Sequence, residues 1–171
     1  MDPQPRKTLL IVWHSRTGAA KQLADAAVAG AQAAARELQA QDGLDVVLRH
    51  ADQAQAGDLL GADAMLFCGP ENLAGLSGAM KEFFDRNYYA VLDRLNGRPY
   101  GLLVSAGSDG SGAVRQAERI CAGWRLRPVA PAHIANTAAQ TPEAILAPKS
   151  IGEPDRQAAA NMGGLLAALL L

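Results

Sequence analysis

The sequence predicts an α/β fold, a parallel sheet covered by helices on both faces. Three observations carry this expectation. Apolar runs of strand length alternate with helix-length amphipathic stretches along the chain. Most of the runs are continuously apolar, as in strands buried on both faces. No internal repeat or low-complexity linker breaks the alternation. At 171 residues the chain is expected to form a single domain, residues 1–171. Crossovers in such a sheet are right-handed, and ligands bind beyond the carboxyl ends of the strands at the topological switch point.

The elements follow in order. Strand one is TLLIVWH (Thr8–His14). Helix one spans about Ala19–Leu38, with Leu23, Ala27, Gly30, Ala31, Ala34 and Leu38 on one face and Lys21, Asp25, Gln32 and Arg36 opposite. Strand two is LDVVLRH (Leu44–His50), and Asp52 is placed to cap a short helix over Gln53–Leu60. Strand three is AMLFC (Ala64–Cys68), closed by Gly69 and Pro70. Helix three covers about Ser77–Arg86, with Leu76, Met80, Phe83 and Phe84 inward. Strand four is YGLLVSA (Tyr100–Ala106). Helix four covers about Gly112–Trp124, with Val114, Ala117, Cys121 and Trp124 inward. Strand five, RPVAPAHIA, carries Pro128 and Pro131, which mark an edge or a bulge. Residues 136–153 read as a long surface loop, and a last helix runs from Asp155 to the end.

Composition narrows the function classes. Hydrophobic residues make up 49% and charged residues 19%, an ordinary globular balance, and the net charge is −1. Nothing there points to nucleic acid or an anionic membrane. The apolar run Leu9–Trp13 is too short for a signal segment, and MDPQPRK before it is polar. The tail GGLLAALLL falls short of the roughly 20 residues of a bilayer span, so it belongs to a core or an interface. Cys68 and Cys121 sit in apolar segments, as expected of buried, reduced thiols in a cytoplasmic protein.

The topology directs attention to three loops, after strands one, three and four. In the first, His14–Ala19, the strand stops and a helix begins after Ser15, Arg16, Thr17 and Gly18. The first N–H groups of a helix lack intrahelical partners and, with the helix dipole, form an anion site. Ser15 and Thr17 add hydroxyls, and Gly18 allows close backbone approach. Hydrogen bonds to a charged group contribute about 1.5–3 kcal/mol each, so about four or five would hold a phosphate monoester. A hydroxyl that merely caps the helix is the alternative. Nucleotide motifs are absent: no G-x-x-x-x-G-K-[ST], and no G-x-G-x-x-G after strand one. A receiver domain would place an aspartate where Cys68 stands, and a cysteine phosphatase would place an arginine where Ala74 stands.

The first loop resembles the flavodoxin phosphate loop, [ST]-x-T-G-x-[ST], at Ser15, Thr17 and Gly18, with Ala20 in place of the last hydroxyl. The segment GPENLAGLSGAMKEFFDR (Gly69–Arg86) is similar to the one after strand three in flavodoxin-like NAD(P)H-dependent FMN reductases and quinone reductases. There a proline-containing loop follows the isoalloxazine edge and a Ser/Gly turn leads into M-K-x-F-x-D-R, matched here by Pro70, Ser77, Met80, Lys81, Phe83 or Phe84, Asp85 and Arg86. The third loop, SAGSDGSG (Ser105–Gly112), corresponds to the one that closes on the flavin pyrimidine. Together the loops cover about residues 8–125.

The resemblance implies a flavodoxin-like three-layer sandwich with a five-stranded parallel sheet in the order 2-1-3-4-5. It implies FMN as cofactor, held by Ser15, Arg16, Thr17, Gly18, Ala19 and Ala20 at the phosphate, Pro70, Glu71, Asn72 and Leu73 along the ring, and Ser105, Gly107, Ser108 and Asp109 at the pyrimidine. Asn72 offers both a donor and an acceptor, and Gly75 and Gly78 allow tight approach. It further implies an oxidoreductase that takes electrons from NAD(P)H and reduces a quinone or similar small molecule, in a homodimer or homotetramer. The flavin supplies the chemistry, so no catalytic acid or base is assigned, and no metal ligands. Flavodoxin-type carriers are strongly acidic, whereas this chain is near neutral. An electron carrier and a flavin-free module are the alternatives. Lys81 and Asp85 are expected to pair on the surface, and Phe83 and Phe84 to lie in the core. Tyr88, Tyr89 and Trp124 are candidate walls for the flavin, with packing as the competing role. Arg115, Arg119, Arg125 and Arg127 are expected to form a solvated basic face, and His14 to support the first loop.

Overall fold

The computed structural model describes residues 5–171. The first four residues of the polar N-terminal segment, and the reading made of them, lie outside the described residues. The sheet is built on four parallel neighbours, β2 (Leu44–His50), β1 (Lys7–Trp13), β3 (Ala64–Asn72) and β5 (Pro99–Ala106). The fifth position is shared by two short strands, β6 (Arg127–Pro128) and β7 (His133–Asn136), both parallel to β5. A two-residue strand, β4 (Gly75–Leu76), folds back antiparallel on the end of β3. The order is that of a flavodoxin-like three-layer sandwich, 2-1-3-4-5, with extra short strands beyond the expected five.

Two apolar cores flank the sheet. On one face α1 (Ala19–Glu37) and α6 (Glu153–Leu170) pack over Leu9, Ile11, Leu66 and Leu103. On the other, α3 (Gly78–Val91) and α4 (Ser111–Gly123) pack over Leu10, Val12, Phe67 and Val104. Alternate residues of each strand thus serve opposite cores, the period-2 consequence of burial on both faces. The α1–α6 contact is close because glycine meets backbone on both sides. A Cβ on Gly30 would lie 2.0 Å from the Ala160 carbonyl oxygen, and one on Gly163 the same distance from that of Ala27.

Several expectations need correction. The short helix, α2 (Ala56–Gly61), begins later than expected and is capped by Gln55, not Asp52. Gln55 and Asp58 form a reciprocal capping box, whereas Asp52 lies in the turn after β2 beside His50. Strand β3 does not stop at Cys68 but runs through Gly69 and Pro70 to Asn72. Cys68 presents its carbonyl to His14 on the β1 side, so Pro70, two residues on, faces that side too. Strand β1 has already ended there, so the missing proline N–H breaks no ladder bond, and the Ser77 N–H takes the Pro70 carbonyl at 3.1 Å. Helix α3 continues to Val91, which puts Tyr88 and Tyr89 inside it. Leu38 is not on the buried face of α1 but 52% exposed as its C-cap. Residues 136–153 are not all loop, since α5 (Pro142–Leu146) forms there behind a Thr141 cap.

Other expectations hold. Strand five is interrupted over residues 129–132, between Pro128 and His133, at the sheet edge. Lys81 and Asp85 pair at 2.6 Å on the surface, and Phe83 and Phe84 are fully buried. Both cysteines are buried and free, with burial pushing each thiol far above its ordinary range. In the tail, Gly163, Leu166 and Ala167 are buried while Leu165, Leu169 and Leu171 remain exposed. No helix among the described residues is long and apolar enough to cross a membrane.

Candidate functional site

The carboxyl ends of β1, β3 and β5 open into a cavity of about 440 Å³, within the range of about 300–1,000 Å³ usual for small-molecule sites. Strand order dictates its place. Helix α1 leaves β1 on one face and α3 and α4 leave β3 and β5 on the other, so the loops diverge and leave a crevice.

The first loop forms one wall through Ser15, Arg16, Thr17 and Ala19. Ser15 Oγ accepts the Gly18 N–H at 3.1 Å, closing the loop. Gly18 is the N-cap of α1 with φ +105°, a conformation that glycine reaches without a Cβ penalty. The turn brings the open end of a helix of 19 residues to the cavity. Ala20 is fully buried, facing inward, and its carbonyl accepts from the Cys68 thiol at 3.1 Å. Gly18 and Ala20 shape the loop from behind the lining.

His14 lies just behind this wall. Its Nδ1 is 2.8 Å from Ser77 Oγ, a bond between the first loop and the N-cap of α3. Burial holds the His14 pKa below its ordinary value, with the His50 ring and the Arg16 guanidinium as further causes.

Pro70, Glu71 and Asn72 form the second wall. The Asn72 carboxamide, turned with its oxygen toward Arg16, accepts from Arg16 Nε at 2.8 Å and donates to the Glu71 carbonyl at 2.8 Å. One Glu71 carboxylate oxygen, Oε2, is buried with no hydrogen-bond partner among the described residues. Buried polar atoms are seldom left unpaired, so this oxygen stands out on the second wall. Leu73 turns away from the cavity, fully exposed at the tip of the β3–β4 hairpin.

Ser105 and Gly107 line the third wall, together with Ala106. Ser108 and Asp109 point outward into solvent. A hydrogen bond from the Ser111 hydroxyl, at 2.6 Å, holds the Asp109 carboxyl below its usual range. Thr137, Ala139, Ile145, Leu146 and Lys149 complete the cavity from the segment read above as a surface loop. The local signal that marks structure there is Thr141-Pro142-Glu143, a cap residue followed by proline at the first helical position.

The proposed aromatic walls do not reach the site. Trp124 is fully buried against Phe83 and Phe84, Tyr88 packs near it, and Tyr89 is 85% exposed on the outer face of α3. Arg115, Arg119, Arg125 and Arg127 are exposed and none lines the cavity.

Comparison with known proteins agrees with this architecture. The profile of the family described as NADPH-dependent FMN reductase matches residues 14–141. A protein named flavodoxin from Aquifex aeolicus (strain VF5) is 32% identical over 104 residues, 61% of this chain and 52% of that protein. The match thus spans about half the length of that relative. A flavodoxin from the domain Archaea superposes with a TM-score of 0.73 at 16% identity, over 95% of this chain and 98% of the other. The flavodoxin, WrbA-like protein from Agrobacterium tumefaciens superposes at 0.72 and 17% identity, over 96% and 97%. At these identities the two superpositions show a shared fold and no more. The profile match, which takes in all three loops, shows that the chain belongs to the NADPH-dependent FMN reductase family.

Proposed function

We propose that the protein binds FMN in the cavity and acts as an NAD(P)H-dependent oxidoreductase toward a quinone or similar small-molecule acceptor. The observation that carries this reading is the meeting in one cavity of a helix start flanked by Ser15, Arg16 and Thr17 with the loop walls that follow β3 and β5.

The donor set fits the cofactor. The first-turn N–H groups of α1, with the Ser15 and Thr17 hydroxyls, suit a phosphate monoester. Arg16 adds a positive charge on the same wall. The Asn72 carboxamide on the second wall suits the polar edge of the ring. Ser105 and the backbone around Gly107 suit the pyrimidine oxygens. When bound, the flavin supplies the redox chemistry, while the chain binds and orients it and excludes water from its buried edge.

An absorbance spectrum tests this. Protein loaded with FMN is expected to show oxidised-flavin bands that NADPH or NADH bleaches without air. Failure to take up FMN would refute the reading. The resemblance to a protein named flavodoxin favours a second reading, a one-electron carrier. Bound flavin that neither nucleotide reduces would select it.

A further inference from the structure

The cavity has a fourth side that none of the three loops provides. After β7 the chain lines it as a strap, residues 137–149, that carries α5. One end is tied to the third loop. Thr137 N–H donates to the Ala106 carbonyl at 2.8 Å and Gln140 Nε2 to that of Gly107 at 3.3 Å. The other end is tied to the first loop, where Lys149 N–H donates to the Thr17 carbonyl at 2.7 Å. Between these anchors Ile145 and Leu146 line the cavity while remaining 54% and 78% exposed.

None of the cavity-lining residues is aromatic. The aromatic side chains serve elsewhere: Phe67, Phe83, Phe84 and Trp124 in the core, and Trp13 edge-on against His50. A flat tricyclic ring has apolar faces that gain by leaving water, and aromatic contact is one way to cover them. Here the aliphatic pair on the strap is the large apolar surface on offer.

We propose, resting on the FMN reading above, that the strap is part of the cofactor's own cradle, with Ile145 and Leu146 packing against the flavin ring. The anchoring argues for the cofactor over a second substrate. Both ends of the strap are bonded to the loops that hold the phosphate and pyrimidine in that reading, so its side chains share one frame with the ring.

The test uses the full chain. FMN is titrated into the wild type, the double variant Ile145→Ala/Leu146→Ala, and Leu146→Trp. Both positions are exposed, so melting temperatures without FMN are expected to stay unchanged. The double variant is expected to raise the FMN Kd by about tenfold, the loss that follows from trimming two contacting aliphatic side chains. Leu146→Trp is expected to quench bound-flavin fluorescence relative to Leu169→Trp, on the exposed side of α6. Normal FMN uptake with no change in Kd for the double variant and no extra quenching would overturn the proposal. So would a change confined to nicotinamide affinity. A wild type that takes up no FMN overturns both this proposal and the reading beneath it.

Discussion

Gln22 and Lys149 hold the site together from behind: Gln22 Nε2 donates to the Lys149 carbonyl at 2.6 Å. The same amide nitrogen donates to Gly18 O at 3.1 Å, and Gln22 Oε1 accepts from Ile151 N at 3.2 Å. One side chain in the first turn of α1 thus joins the helix start to the strap. Gln22→Ala removes these bonds from partly buried groups and is expected to destabilise the fold by about 1–3 kcal/mol. Gln22→Glu is expected to be worse, because a carboxylate would face two carbonyl oxygens. Thermal melts rank the two variants, and equal melting temperatures would refute the bridging role.

Thr17 lines the cavity beside the helix start proposed to hold the phosphate, so it offers the sharpest electrostatic test. Thr17→Asp puts a carboxylate at the mouth of the helix start, against a ligand phosphate of like charge. The repulsion amounts to about 1–4 kcal/mol at contact distance, depending on solvent access. FMN retention is expected to fall sharply while far-UV circular dichroism stays unchanged. Unaltered FMN affinity would place the phosphate elsewhere.

His14 predicts how stability depends on pH. Its folded-state pKa lies below the ordinary 6.5 because burial, His50 and Arg16 all disfavour the charged form. The unfolded chain therefore binds the proton more readily between the folded value and 6.5. Above that window His14 has no effect on stability. As pH falls through it, stability falls too, since protonation favours the unfolded state. Asp52 acts in the opposite sense on this group but is the smallest of its causes. Melting temperatures between pH 7.5 and 5 are expected to drop more steeply for the wild type than for His14→Gln. Parallel profiles would show that His14 does not titrate in this way.

Gly163 sets the distance between α1 and α6. A methyl group there would come within 2.0 Å of the Ala27 carbonyl oxygen, and backbone cannot move aside as a side chain can. Gly163→Ala is expected to cost about 1–3 kcal/mol through forced helix separation. Gly57→Ala, on α2 with open space around it, is the control and is expected to leave the melting temperature unchanged or raise it.

How much of this was legible in the sequence follows from the range of each interaction. Strands such as Leu44–His50 and the inward face of α3 were legible because local apolar patterning decides them. The first loop was legible because a strand end, Gly18 and a helix start are neighbours in sequence. The continuation of β3 through Pro70 was not, because it depends on where β1 stops. The strap was missed for the same reason. Its anchors, Gln22 and Thr17 on one side and Lys149 on the other, lie at opposite ends of the chain. Trp124 was legible in its inward reading on helix four, and its competing reading as a flavin wall falls because Phe83 and Phe84 enclose it.

Leu73 and Ala74 carry backbone strain beside the site. They are the two central residues of the β3–β4 hairpin, between the paired Asn72 and Gly75, with φ of +52° and +64°. Positive φ at both positions is the type I′ geometry, for which Asn-Gly is the favoured pair. Each non-glycine residue held in this region costs roughly 1–2 kcal/mol. The turn is held in place from the α4 side. Gln116 Oε1 accepts the Leu76 N–H at 2.8 Å, and a Cβ on Gly112 would strike the Ala74 carbonyl oxygen at 2.0 Å. Leu73→Asn with Ala74→Gly is therefore expected to raise stability by about 1–2 kcal/mol, since Leu73 is fully exposed and loses no packing. The gain should appear in the melting temperature and leave FMN affinity within about twofold. A lower melting temperature would mean that Leu73 makes a contact in solution that its exposure does not show, and a large change in FMN affinity would mean that the strain sets the position of Glu71 and Asn72.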